Sequence, residues 1–157
     1  MRTFRRIVTG HDRDGRSAVA EDRECPHVEI TAHATVTNLW LHEGRPGNAD
    51  PYHDPVAPGT PLPPPARGSV LRMVEFPPRG SGAAPYVHRT DSLDYAYVID
   101  GEVYNVLDRD ETLMRAGDVL VQRGTNHSWD NRSDKPCTVL FVLLDADPRQ
   151  GADSEFP

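Results

Sequence analysis

Short runs of β-branched, aromatic and aliphatic residues, cut apart by glycine- and proline-bearing turns, fill the second half of the chain. They predict strands at residues 69–76, 94–99, 102–107, 111–114, 119–122, 127–131 and 138–144. The connections carry turn chemistry: a Gly/Pro-rich segment at 77–85, Asp100-Gly101, Asp108-Arg109-Asp110, Ala116-Gly117-Asp118 and Arg123-Gly124-Thr125. Side chains two apart along a strand share a face. Asp94, Ala96 and Val98 therefore line one side of their strand, and Tyr95, Tyr97 and Ile99 the other. No 3.6-residue apolar period of useful length appears. The pattern is that of an all-β sandwich or barrel of antiparallel strands.

The first half is less regular. Residues 4–8 and 16–20 read as a hairpin around Asp14-Gly15, and 29–41 as a longer extended stretch. Residues 44–67 hold eight prolines, at 46, 51, 55, 58, 61, 63, 64 and 65. Proline has no N–H to give a ladder, so this segment is a long loop, a lid or a surface insertion. The organisation expected is one domain: strands and loop over 1–66, a barrel over 67–146, and a frayed polar tail over 147–157.

Composition narrows the function. The 157 residues suit a single core, and 15 prolines with 12 glycines favour short strands. The net charge of −7 argues against nucleic acid or an anionic membrane as partner. No apolar run is long enough to span a bilayer, and none follows the basic start to make a signal peptide. Cys25 and Cys137 match no metal spacing, so free thiols and a cytoplasmic setting are expected. Gly-rich phosphate loops, Gly-x-Ser-x-Gly elbows and Cys-x-x-Cys pairs are missing from the sequence, which leaves metal chemistry as the candidate.

Two segments pair potential ligands with a strand and a glycine turn: His88 through Gly101, and Gly117 through Asn131. Together they resemble the cupin superfamily. His88 falls where that family's first motif has its first histidine, and Asp94 where it has a glutamate before Gly101. Gly117-Asp118, His127 and Asn131 follow its second motif. Thr90 stands in place of the second histidine, and Arg123 in place of a proline. The resemblance implies a jelly-roll β-barrel, a homodimer with the N-terminal strands covering or extending a sheet edge, and one divalent ion (Fe, Zn, Mn or Ni) held by His88, Asp94 and His127. Two imidazoles and a carboxylate leave positions open for water or substrate.

Other residues compete for roles. Asp91, three residues after His88, is an alternative carboxylate ligand, an orienting group or a catalytic residue. His53 in the proline-rich loop is a catalytic candidate, and His33 and His42 could also reach the barrel mouth, whereas His11 and His27 read as surface or turn residues. Trp129 is a wall against which a flat substrate could stack, and Thr90 a weak hydroxyl contact. Arg72, inside an apolar strand, needs an acid partner or an anionic substrate. Tyr97 and Tyr104 read as packing residues. The functions in view are a metal-dependent cyclase, dehydratase, isomerase or decarboxylase of a small oxygenated molecule, of the kind found among polyketide cyclases and other tailoring enzymes; an Fe(II) dioxygenase; or a ligand-binding barrel without catalysis.

Overall fold

The computed structural model describes residues 2–48, 51–82 and 84–148. Eleven strands are present, and no helix occurs among the described residues. β1 (Arg5–His11) and β2 (Ser17–Glu24) form a separate two-stranded sheet. β3 (Val28–Ile30), β4 (Thr35–His42), β5 (Ser69–Phe76), β6 (Ser92–Asp100), β9 (Val119–Arg123) and β11 (Cys137–Asp145) make a six-stranded sheet in the order β3-β4-β5-β11-β6-β9. β7 (Glu102–Leu107), β8 (Glu111–Arg115) and β10 (His127–Asp130) make a three-stranded sheet in the order β10-β7-β8. All pairings are antiparallel.

The two larger sheets face each other across one apolar core. Val70, Val74 and Phe76 of β5, Ala96 and Val98 of β6, and Val139, Phe141 and Leu143 of β11 come from one side. Val103, Met114 and Trp129 come from the other. The strict alternation in β5 and β6 is what turns these rows inward, as a period of two requires. The expected all-β antiparallel fold is the fold found. The strands expected at 69–76 and 102–107 have the observed bounds, the others of the second half shift by one or two residues at their ends, and those expected at 4–8 and 16–20 run three and four residues further.

The stretch 29–41 differs, because it is two strands. Thr31 Oγ1 accepts from the backbone N–H groups of His33 and Ala34 while donating to the Ala34 carbonyl, and this side-chain turn folds the stretch back into a hairpin whose arms, β3 and β4, pair antiparallel. β4 extends the sheet beyond β5, whereas β1 joins neither larger sheet. The 44–67 loop has no regular structure in its described residues, but it is tied down. Arg6 of β1 bonds Asp54 and Tyr52, Val56 is buried, and the Gly59 N–H donates to Glu29. Both cysteines are free and buried, and burial pushes the Cys137 thiol up to about 12.

Gly101 carries the tight β6–β7 turn with φ of 80°, and a Cβ there would sit 2.6 Å from the Pro136 carbonyl oxygen. Gly101→Ala is expected to destabilise the protein by about 2 kcal/mol, from the left-handed backbone plus the clash. A urea midpoint unchanged from wild type would refute this.

Candidate active site

A cavity of about 320 Å³ opens between the six-stranded sheet and β10, lined by His88, Thr90, Asp94, His127, Trp129, Arg72, His33, Tyr86, Val74, Phe76, Phe141, Leu143, Leu62 and their neighbours. The walls are aromatic and aliphatic. Trp129 stacks on Phe76 with centroids 5.8 Å apart and meets the edge of Phe141 at 5.2 Å. Few polar groups enter: Arg72, Asp94 and His127 come from three strands, His88 and Thr90 from the segment before β6, and Thr31 and His33 from the turn between β3 and β4.

His88 and His127 are placed by the backbone. Each donates its N–H to the other's carbonyl at 2.9 Å, an isolated antiparallel bridge that sets the two residues opposite each other. Side chains of such a pair leave the sheet on the same face. Their ring centroids are accordingly 4.4 Å apart. Both rings are also fixed in tautomer. His88 Nδ1 bonds the Tyr86 carbonyl at 3.1 Å, and His127 Nδ1 bonds the Thr125 carbonyl at 2.9 Å. A carbonyl only accepts, so each Nδ1 holds the proton of its neutral ring and each Nε2 carries a lone pair. Burial pushes His127 down to about 4, outweighing the Thr125 bond, so this ring is neutral near pH 7.

Asp94 lies on the inner face of β6 and is buried. Ser92 Oγ is 2.6 Å from Asp94 Oδ1 and 2.7 Å from Thr90 Oγ1. With Ser92 donating to the carboxylate, Thr90 donates to Ser92, and Thr90 just before β6 joins Ser92 and Asp94 of β6 in a chain of hydroxyls ending on the acid. Burial raises the Asp94 carboxyl above its ordinary value, against the opposing pull of Ser92, His88 and Arg72. Sequence reasoning missed Ser92. Its period-two spacing from Asp94 was the available signal.

Residues 72–143 match Cupin_2, the cupin domain. The chain is 37% identical over 162 residues to phomopsin biosynthesis cluster protein C′ of Diaporthe leptostromiformis, covering 94% of this chain and 82% of that protein. It belongs to the cupin family. A second relative, the cupin-domain-containing oxidoreductase fogC of Aspergillus ruber, is 36% identical over 89% of this chain and 71% of its own length. Among solved structures, the cupin domain of Schizosaccharomyces pombe Cnp3 superposes with a TM-score of 0.53 at 12% identity, covering 90% of this chain and 87% of that one. That likeness is one of fold.

This cupin thus brings His88, Asp94, His127, Thr90, Arg72 and Trp129 to a single cavity. Within it the two histidines form a pair, and no three His, Cys, Asp or Glu side chains converge into one metal-sized cluster among the described residues. Asp91 and His53 are elsewhere. Asp91 follows the outward face before β6, lies 3.8 Å from Arg89 and borders a different groove beside Arg123 and Gly124. His53 Nδ1 bonds its own loop at the Pro51 carbonyl, 2.8 Å away. His42 likewise turns to Gly44, at 3.1 Å. Of the loop and mouth histidines only His33 lines the cavity, stacked on Tyr86, which stacks in turn on His88. His27 also departs from its surface reading, being a half-buried partner of Asp54 at 2.8 Å.

Proposed function

We propose that this cupin is a metal-dependent tailoring enzyme acting on a small, flat, oxygenated organic molecule. The observation that carries the reading is the histidine pair: two adjacent imidazoles whose Nδ1 protons are committed to carbonyls, so that both Nε2 lone pairs are free in an aromatic cavity. This is the donor arrangement that Fe, Zn, Mn and Ni accept. The residues fit such an ion. His88 and His127 would hold it as a pair; Asp94, whose Oδ1 is engaged by Ser92, lines the same cavity outside that pair and would complete the set with its other oxygen on binding.

An ion held there would supply Lewis acidity toward a substrate oxygen, or redox chemistry if it is iron. The chain's own residues do the rest. Trp129, Phe76 and Phe141 stack against a flat substrate and exclude water. Asp94, its carboxyl raised by burial, is placed to take or give a proton, and the Thr90–Ser92 hydroxyls orient it. Oxidation is the first reaction class we propose, because fogC, a relative matched over most of both chains, is described as an oxidoreductase. Proton transfer in a cyclisation, dehydration, isomerisation or decarboxylation is the second, favoured by the buried acid beside the pair.

Metal analysis of protein purified without a histidine tag tests the reading. About one equivalent of a first-row metal is expected, and no bound metal with no loss of ligand binding on chelation would overturn it. The carboxylate is tested in the same assay. Asp94→Asn is expected to weaken metal affinity about 10-fold, while Asp91→Asn leaves it unchanged. The reverse order would transfer the role to Asp91.

A further inference from the structure

An antiparallel sheet that meets water on one side carries polar residues there. The three-stranded sheet does so. On its outward face Glu102 meets Arg115 at 3.5 Å, and Arg132 lies over the Tyr104 ring at 4.0 Å while bonding Glu111. The six-stranded sheet does not. The outward row of β6 is Leu93, Tyr95, Tyr97 and Ile99. By the strand register Tyr95 stands opposite Val121 of β9 and Val142 of β11, and Tyr97 opposite Val119 and Leu140. Two rows of three result, each with a tyrosine at its centre and no charge. Tyr95 and Tyr97 are 42% and 43% exposed, and Val119 and Val121 are 65% and 52% exposed. The chain covers the other end of this face itself. Trp40 of β4 stacks on Tyr52 of the proline-rich loop at 6.0 Å, and Arg6 of β1 bonds the Leu39 carbonyl at 3.1 Å. That cover stops short of β6 and of β9, the last strand of its sheet.

We infer that the outward face of β9, β6 and β11 docks a second copy of this chain, sheet against sheet, about a two-fold axis. The area suffices. With the half-buried residues around the two rows, the patch offers roughly 600 Å² per copy, or about 1,200 Å² in a pair, which is within the range of specific interfaces and at the top of what a monomer leaves bare. The face is also self-complementary. A two-fold axis running between the rows lays the Tyr95 row of one protomer over the partner's Tyr97 row, tyrosine on tyrosine and valine on valine. The same operation carries Arg123, one step beyond Val121, toward the partner's Gly117-Asp118 turn, one step beyond Val119. Both charged residues are exposed, so the rim pairs opposite charges twice. A foreign partner would need neither the repeated row nor the symmetric rim. The contact is face to face, because β1 and β2 pair with each other and extend neither larger sheet.

Sedimentation velocity of the full chain at micromolar concentration is expected to show twice the chain mass. Val121→Lys is the deciding variant. Val121 is half-exposed on an edge strand, so the change disturbs the fold little, whereas the two-fold axis sets two lysines into the contact. Dimerisation should weaken about 100-fold. Val19→Lys, on the separate β1–β2 hairpin and 62% exposed, should leave the dimer intact. If Val121→Lys does not fold, Val119→Lys takes its place. Hydroxyl-radical labelling of wild type gives a second reading: Tyr95 and Tyr97 should label several-fold more in dilute than in concentrated solution, with Tyr86 at the cavity mouth unchanged. A monomeric wild type overturns the proposal, whether or not another protein binds the face. A dimer that survives the lysine on β9, a dimer that Val19→Lys dissociates, or tyrosine labelling that ignores concentration overturns it equally.

Discussion

His127→Ala is expected to leave a folded β-barrel that no longer retains stoichiometric metal, with affinity lowered about 100-fold or more. His127 is the better-anchored half of the pair. It sits in β10, bonded through its backbone to His88 on one side and paired with Leu107 of β7 on the other. Its ring is buried against the edge of Trp129, 6.0 Å between centroids. It is neutral near pH 7, so removing it strands no buried charge. The cost to folding is therefore that of truncating a buried ring of moderate size, about 2 kcal/mol. The cost to the site is one of two matched nitrogen donors. His88→Ala should produce a similar loss of metal with a smaller loss of stability, because His88 is only half-buried. Metal content after dialysis and a thermal unfolding curve separate the two effects. Full metal occupancy in His127→Ala would remove the pair from the site.

Much of this site can be read from the sequence because strand alternation is simple physics. The period of two puts Asp94 and Ala96 inward, and it also places Thr90, Ser92 and Asp94 in one row, although only the acid has a motif to mark it. His88 and His127 are 39 residues apart by their numbering, and what joins them is a two-hydrogen-bond bridge outside the regular ladders. No local propensity encodes that bridge, since it depends on how the turn before β6 meets the start of β10. The same holds for Leu62 and Pro61. Proline content reveals a loop, but the loop's role as a wall of the cavity depends on Arg72, Glu29 and Arg6 reaching it from three strands. Asp91 and Asp94 could not be separated by spacing alone, since both follow His88 closely. What separates them is the start of β6 at Ser92, which fixes the alternation and leaves Asp91 beside Arg89.

Asp54→Ala is expected to destabilise the protein by about 3 kcal/mol at pH 7 and to loosen the wall of the cavity. Asp54 sits among Arg6, Glu21, Tyr52, Arg23 and His27. Arg6, 6% exposed, bonds Asp54 through Nη1 at 3.1 Å, and also Glu21 through Nε at 2.7 Å and the Leu39 carbonyl at 3.1 Å. Without Asp54 the buried guanidinium keeps only one full carboxylate partner, and breaking such a pair from one side is where buried ion pairs are expensive. Burial alone would raise the Asp54 carboxyl, but the hydrogen bonds from Arg6 and His27 outweigh it and hold the group well below its ordinary 3.8. Glu21 is lowered in the same way by Arg6 and Arg23. A depressed carboxyl contributes its stability above its unfolded value and loses it as pH falls toward the folded one. Wild-type stability should therefore be level above about pH 5 and fall below about pH 4. Asp54→Ala should start lower and fall less steeply over the same range. Asp54 anchors the segment that continues to Pro61 and Leu62, so the variant should also bind a flat aromatic probe more weakly than wild type at neutral pH. Urea midpoints from pH 3 to 7 on both proteins decide the matter. A variant within about 0.5 kcal/mol of wild type at pH 7, with an unchanged acid slope, would mean the Arg6 cluster does not hold the loop.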